Sequence, residues 1–153
     1  MDKWDWRYLR LATEVAKWSK DPSTQVGAVL VKDRDVWFGY NGFPTGVKDD
    51  LRLHDRETKY EIIIHGEMNA LLKAGNAAQG STLYLWPFLS CSRCTVHAIQ
   101  AGVKRVVFPE PTEEQLSRWG KSFQMAKEVY QEVGVELVEV SRKALEVNMK
   151  DYL

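Results

Sequence analysis

The sequence predicts an α/β domain in which a mixed sheet of five strands carries helices on both faces, making three layers. Three observations carry that expectation. Apolar runs of five to seven residues, rich in valine, recur along the chain and suit strands. Elsewhere apolar residues recur at spacings of three and four, as they do on helices. The first two strand-like runs are joined by a short charged turn and the later ones by helical stretches, so a hairpin is followed by helix and strand in alternation. At 153 residues the chain suffices for one core and is short for two, so residues 1–153 are expected to form a single domain, with 141–153 as a C-terminal helical tail.

Residues 3 to 19 place Trp4, Tyr8, Leu11, Ala12, Val15 and Trp18 at helical spacing, and Asp21-Pro22 ends that helix. Gln25 to Val31 reads as a buried strand, Lys32 to Asp35 as its turn, and Val36 to Tyr40 as the returning strand. From Asn41 to about Lys59 the pattern breaks into turn residues and a charged segment, an ordered loop of the kind that is functional or mobile. Tyr60 to Ile64 leads into a helix at His65 with Met68, Leu71 and Leu72 as its apolar face, closed by Asn76 to Gly80. Thr82 to Trp86 is the third strand. A helix from Cys91, with Cys94, Ala98 and Ile99 at helical spacing, runs to Gly102. Lys104 to Phe108 is the fourth strand. A long helix follows from Thr112, its N-cap, to Val133, with Gly134 as the stop. Val135 to Val140 is the fifth strand, and Ser141 to Leu153 a weakly amphipathic helix expected to pack on the body or on a neighbouring subunit.

Composition narrows the function. Lys and Arg number 21, Asp and Glu 21, so the net charge is zero and no dense basic run marks a polyanion-binding face. A small substrate is expected, not long nucleic acid. No apolar run approaches the length of a membrane span, and the charged, aromatic N-terminus is unlike a signal peptide, so a soluble, unprocessed, cytoplasmic protein is expected, with no membrane partner.

The chemistry gathers at His65-Gly66-Glu67 and at Cys91-Ser92-Arg93-Cys94, which holds both cysteines of the chain. A zinc ion that activates water takes three protein ligands and keeps one position open, and one imidazole with two thiolates supplies three. Glu67 lies two residues from His65, in reach of a water on the same metal, and reads as the proton shuttle. Zinc nucleobase deaminases carry this arrangement as H-x-E followed by P-C-x-x-C. Glu67 and Cys91 are 24 positions apart, room for a helix, a turn and a strand, and both ligand helices are expected to start where a strand ends. Thiolates at a helix N-terminus are favoured by its positive end. The bland readings are two buried core cysteines or a thioredoxin-like redox pair; neither gives work to His65 and Glu67. Ser90 stands where the pattern has proline.

With these residues in hand, the chain resembles the cytidine and deoxycytidylate deaminase superfamily, and within it most closely the deoxycytidylate branch, over roughly residues 5 to 140. Besides the zinc motif, the resemblance rests on Ser19-Lys20-Asp21-Pro22-Ser23-Thr24-Gln25-Val26-Gly27-Ala28, on Gly39-Tyr40-Asn41-Gly42-Phe43-Pro44 with Gly46, and on His65-Gly66-Glu67-Met68-Asn69-Ala70. It implies a cytidine-deaminase-like fold and one catalytic zinc on His65, Cys91 and Cys94, with Glu67 as acid and base. It further implies Asn41 at the substrate sugar, Val26 against the base, and Ser23, Thr24 and Gln25 near the nucleotide. Gly66, where the family has alanine or valine, would let a base edge approach the backbone. Lys48, Arg52, Arg56 and Lys59 are the cationic candidates for a phosphate. Many relatives are oligomers regulated by dCTP and dTTP near the Gly39, Tyr40 and Gly42 segment, which implies a homo-oligomer of two to six copies and those effectors here.

The implied reaction is hydrolytic deamination of dCMP to dUMP with release of ammonia. Three alternatives remain at this point. The same zinc site could serve another nucleotide or base, such as dCTP or a purine; a tRNA adenosine would call for a basic face; a zinc-stabilised binding domain would close the metal with a fourth ligand, for which His97, three residues after Cys94, is the residue to watch and His54 the other spare histidine.

Overall fold

The computed structural model describes residues 1–153. Six helices surround a five-stranded sheet. They are α1 (Lys3–Ala16), α2 (Arg56–Ile62), α3 (Gly66–Ala74), α4 (Ser92–Gln100), α5 (Glu113–Glu132) and α6 (Arg142–Met149), with strands β1 (Gly27–Lys32), β2 (Asp35–Tyr40), β3 (Thr82–Trp86), β4 (Arg105–Pro109) and β5 (Glu136–Val140). The strand order is β2-β1-β3-β4-β5. β1 runs antiparallel to β2 and β3, and β3, β4 and β5 are parallel, so the hairpin and the crossovers give the mixed sheet of the expectation.

Strand residues alternate between two cores, as the period of two requires. Ala28, Leu30, Leu83, Leu85, Val106 and Phe108 face α3, α4 and α5, meeting Ala70, Leu71, Ala98, Phe123, Ala126 and Tyr130. Val29, Tyr84 and Val107 face the other way and meet Leu9 and Ala12 of α1 with Leu145 and Met149 of α6. The C-terminal helix packs on the body of the chain, and Arg10 of α1 donates to the Asn148 carbonyl at 2.7 Å.

Helix α1 buries a different stripe from the one its aromatic residues suggest. Trp4 and Trp18 are half exposed, and the contact is made by Leu9, Ala12, Val15 and Ala16. Gly27 is the reason: a Cβ there would lie 2.1 Å from the Ala12 carbonyl oxygen, so helix and strand meet backbone to backbone and only small residues fit. The helix stops at Ala16, earlier than its apolar spacing implied, and Trp18 and Ser19 continue as turns.

Three more expectations are corrected. The charged segment before Lys59 is not loop throughout: Leu51–His54 forms a 3-10 turn and Arg56–Ile62 a helix. Helix α3 does not start at a strand end, since α2 and an isolated bridge between Ile64 and Gly42 precede it. Leu72 is 66% exposed, and α3 instead buries Gly66, Glu67, Ala70 and Leu71.

Asp5, on the polar side of α1 by type, is buried and forms the staple of the second core. Its carboxylate accepts from the Tyr84 hydroxyl at 2.8 Å and from both Arg105 Nη atoms at 2.7 and 3.1 Å, while completing a capping box with Asp2. Burial alone would raise its pKa, but the hydrogen bonds from Arg105, Tyr84 and the Asp2 amide outweigh it and hold the group at about 2. A folded-state pKa below the ordinary value means stability that is present above about pH 4 and lost as pH falls through about 2. Asp5→Asn is expected to cost about 2 kcal/mol at neutral pH, measured by urea unfolding. The gap to the unsubstituted protein should shrink as pH falls from 4 towards 2; a gap independent of pH would contradict the ionic account.

Candidate active site

His65 and Cys91 are the N-cap residues of α3 and α4, two helices whose N-termini converge on the face of the sheet that carries the larger core. His65 Nδ1 lies 3.4 Å from Cys91 Sγ and 3.3 Å from Cys94 Sγ. The three donor atoms fall within 4.8 Å of one another, and no fourth His, Cys, Asp or Glu joins the group. One nitrogen and two sulfurs are a donor set suited to zinc, and three protein donors leave a position for a fourth, non-protein ligand. His97 is outside the cluster: its Nδ1 bonds the Arg93 carbonyl at 2.7 Å on the exposed side of α4.

The electrostatics fit the same use. The Cys91 thiol is pushed well below its ordinary range by its hydrogen bond with Cys94, and that contact together with burial pushes Cys94 up. His65 is raised, first by its hydrogen bond with Cys91. Glu67, on the first turn of α3, is 4% exposed, and burial pushes its carboxyl up. A buried carboxyl beside the donor cluster is placed to exchange protons, as a general acid and base must.

His65, Glu67 and Cys91 line one cavity of about 350 Å³. Ser23, Thr24, Val26 and Asn41 line it from the loop between α1 and β1 and from the end of β2. Gln25 does not: its side-chain amide turns back to the Ser19 carbonyl at 2.7 Å. Asn41 is tied into the protein by three hydrogen bonds, donating to Asp21 Oδ2 at 3.2 Å and the Thr24 carbonyl at 2.8 Å and accepting from the Val26 amide at 2.8 Å. It organises the loop that forms the cavity wall.

Gly66 lies behind the cavity, not on it. A Cβ there would stand 3.2 Å from the carbonyl oxygens of Gly39 and Val26, so the glycine serves helix-to-sheet packing. The Gly39, Tyr40 and Gly42 segment also lies off the cavity: Gly39 packs under α3, Tyr40 meets Trp18 edge-on and Gly42 bridges Ile64.

Of the four cationic candidates, the structure brings Arg56 and Lys59 to the cavity and leaves Lys48 and Arg52 outside. Arg52 is exposed and bonded to Asp50 at 2.8 Å. Lys59 is buried and already engaged, with Asp21 at 3.1 Å and the Ser23 hydroxyl at 3.2 Å. Arg56 pairs with no carboxylate, and its guanidinium lies 5.2 Å from the Tyr60 ring.

The residues that sequence reasoning missed come from the segment around α2 on one side, and from α5 with the loop after β3 on the other. His54, Tyr60 and Ile63 line the cavity on one side, and Phe88, Arg118, Trp119, Ser122 and Phe123 on the other. Phe88 packs on Trp119 and Phe123 with ring centroids 4.9 and 5.4 Å apart, an aromatic wall. Arg118 sits 4.3 Å over Trp119 and, like Arg56, forms no ion pair. The one available signal was the Arg118-Trp119 and Ser122-Phe123 pairing on α5, which helical spacing alone assigns to core or interface.

Comparison with known proteins agrees with this geometry. Residues 2–110 match the family described as the cytidine and deoxycytidylate deaminase zinc-binding region. A protein of Aliivibrio fischeri named as an uncharacterized deaminase in the luxG 3′ region is 42% identical over 138 residues, covering 90% of this chain and 93% of that one. The deoxycytidylate deaminase of Homo sapiens is 36% identical over 115 residues, 69% of this chain and 64% of its own length, so the chain spans just under two thirds of that relative. Among solved structures, the dCMP deaminase of cyanophage S-TIM5 in complex with dCMP and dUMP superposes with a TM-score of 0.72 at 25% identity, over 92% of this chain and 99% of that chain. RibD of Acinetobacter baumannii matches with a TM-score of 0.63 at 25% identity, over 99% of this chain and 39% of that one. Sequence motif, donor cluster and fold converge, and the chain belongs to the cytidine and deoxycytidylate deaminase family of zinc-binding enzymes.

Proposed function

We propose that the protein deaminates dCMP to dUMP, consuming water and releasing ammonia. The observation that carries this reading is that His65, Cys91 and the buried Glu67 open into one cavity, in a chain whose relatives include named deoxycytidylate deaminases. His65, Cys91 and Cys94 would hold the zinc ion. Zinc in such a site supplies Lewis acidity that makes water a nucleophile near neutral pH.

The remaining work falls to the chain's own side chains. As the water oxygen bonds to C4, Glu67 takes one of its protons and delivers it to N3 of the cytosine ring; it then carries the proton of the resulting C4 hydroxyl to the exocyclic nitrogen, which leaves as ammonia as C4 becomes a carbonyl. Burial of Glu67 excludes bulk water as a competing proton source. Val26 and the aromatic wall of Phe88, Trp119 and Phe123 confine the flat base, Asn41 meets the sugar, and Ser23 and Thr24 line the approach.

For the phosphate the reading favours Arg56 with Arg118, two unpaired guanidinium groups at the same cavity, over Lys59, whose charge is already matched by Asp21. Guanidinium groups suit phosphate because they offer paired donors in one plane. Control by dCTP and dTTP at the Gly39 to Gly42 segment, in a homo-oligomer of two to six copies, belongs to the same reading. Its support is that Asn41 joins that segment to the cavity. No helix is long and apolar enough to cross a membrane.

The direct test is ammonia release from dCMP, dCTP, deoxycytidine and CMP in parallel, with dCTP and dTTP added as effectors. Preference for dCMP supports the reading; turnover of a purine or a tRNA anticodon stem and none of dCMP overturns it. Glu67→Gln is expected to keep its zinc and lose roughly 10³-fold in kcat; a near-normal rate would contradict its role. Arg118→Ala should narrow the preference for dCMP over deoxycytidine by roughly tenfold or more, the scale of one lost charged hydrogen bond. An unchanged ratio would remove Arg118 from the phosphate site.

A further inference from the structure

The residue before the first cysteine ligand is Ser90, where the H-x-E, P-C-x-x-C pattern has proline. Proline there would stiffen the entry to the ligand helix, because its ring locks φ. Ser90 is 1% exposed, and its Oγ lies 3.0 Å from the hydroxyl of Tyr130, a fully buried residue of α5. On the other side of Cys91, the Ser92 amide donates to Ser122 Oγ of the same helix at 3.0 Å. Cys91 is therefore bracketed by two hydroxyl contacts to α5, from residues eight apart on one helical stripe. The Ser90 amide donates to no backbone carbonyl, so nothing is lost on that side if proline replaces it.

We propose that Tyr130 is a positioning residue for the Cys91 ligand, its hydrogen bond to Ser90 replacing the stiffness of the missing proline, with Ser122 holding the other flank. This rests on the assignment of His65, Cys91 and Cys94 as the zinc ligands. A ligand held in place before the metal arrives costs less order on binding, so the brace should be read in metal retention more than in fold stability. Burial raises the Tyr130 hydroxyl to about 12, which keeps it protonated and able to donate at neutral pH. Tyr130→Phe deletes the hydroxyl and keeps the ring in the core.

The experiment measures zinc transfer from the purified protein to a chromogenic chelator, with zinc content and unfolding temperature on the same samples. The unsubstituted protein should carry zinc; its absence would overturn the ligand assignment beneath the proposal, before any variant is compared. Tyr130→Phe should release zinc about tenfold faster, within the range of lost outer-shell partners. Ser90→Pro should release it at the original rate, and Tyr130→Phe added to Ser90→Pro should have no further effect. Should Ser90→Pro fail to fold, Ser90→Ala should match Tyr130→Phe, and the two together should be no worse than either alone. Release from Tyr130→Phe at the original rate, or the same acceleration in both backgrounds, would overturn the proposal.

Discussion

The placement of His65 and Glu67 depends on how closely α3 lies on the β1–β2 hairpin. At Gly39 a Cβ would come within 2.4 Å of the Gly66 carbonyl oxygen, and at Gly66 it would meet the carbonyls of Gly39 and Val26 at 3.2 Å. Helix and sheet thus touch through their backbones, which fixes the height of the helix and with it His65 at its N-cap and Glu67 on its first turn. Asn69 and Lys73 strengthen the contact by donating to the carbonyls of Tyr40 and Phe38 on the edge strand, at 2.8 and 3.2 Å. Polar groups on an open strand edge invite pairing with other chains, and here the same helix that carries the ligand occupies them.

The second half of the site is set from the opposite direction. Cys91 and Cys94 arrive on α4 after the parallel strand β3, and α5 holds the entry to that helix through Ser122 and supplies the aromatic wall. A third network fixes the wall between them: Lys59, Asp21 and Asn41 tie α2 to the loop that precedes β1. Breaking one member of a buried, hydrogen-bonded ion pair leaves the other uncompensated, so this network gives the cavity a defined shape before substrate enters. The three donor atoms, the buried Glu67 and the aromatic wall come from segments far apart in sequence, joined by the sheet.

How much of this was legible from the sequence follows from what each residue has to do. Metal coordination admits few residue types, so His65, Cys91 and Cys94 with Glu67 stood out, and apolar strands facing two cores gave the sheet. Helix α2 was hidden because it has no apolar stripe: Arg56, Glu57, Lys59 and Glu61 face either solvent or the cavity. Asp5 looked like a solvated face of α1, since nothing local announces that Tyr84 and Arg105 will meet it from positions 79 and 100 residues away. Arg118 and Trp119 fit an ordinary amphipathic helix, and only the tertiary arrangement brings them to the cavity. Gly66 was legible as an unusual residue but not in its use, because close packing against a strand and close approach of a ligand make the same demand on a side chain.

One imidazole and two thiolates are placed to hold zinc with one position open to the cavity. X-ray absorption at the zinc edge of the purified protein tests this arrangement most directly. The account requires one zinc per chain with two sulfurs at about 2.3 Å, one nitrogen at about 2.0 Å and one further light atom supplied by solvent, whose signal changes when dCMP is added. A closed shell of four protein ligands, indifferent to nucleotide, or a protein that holds no zinc, would contradict it.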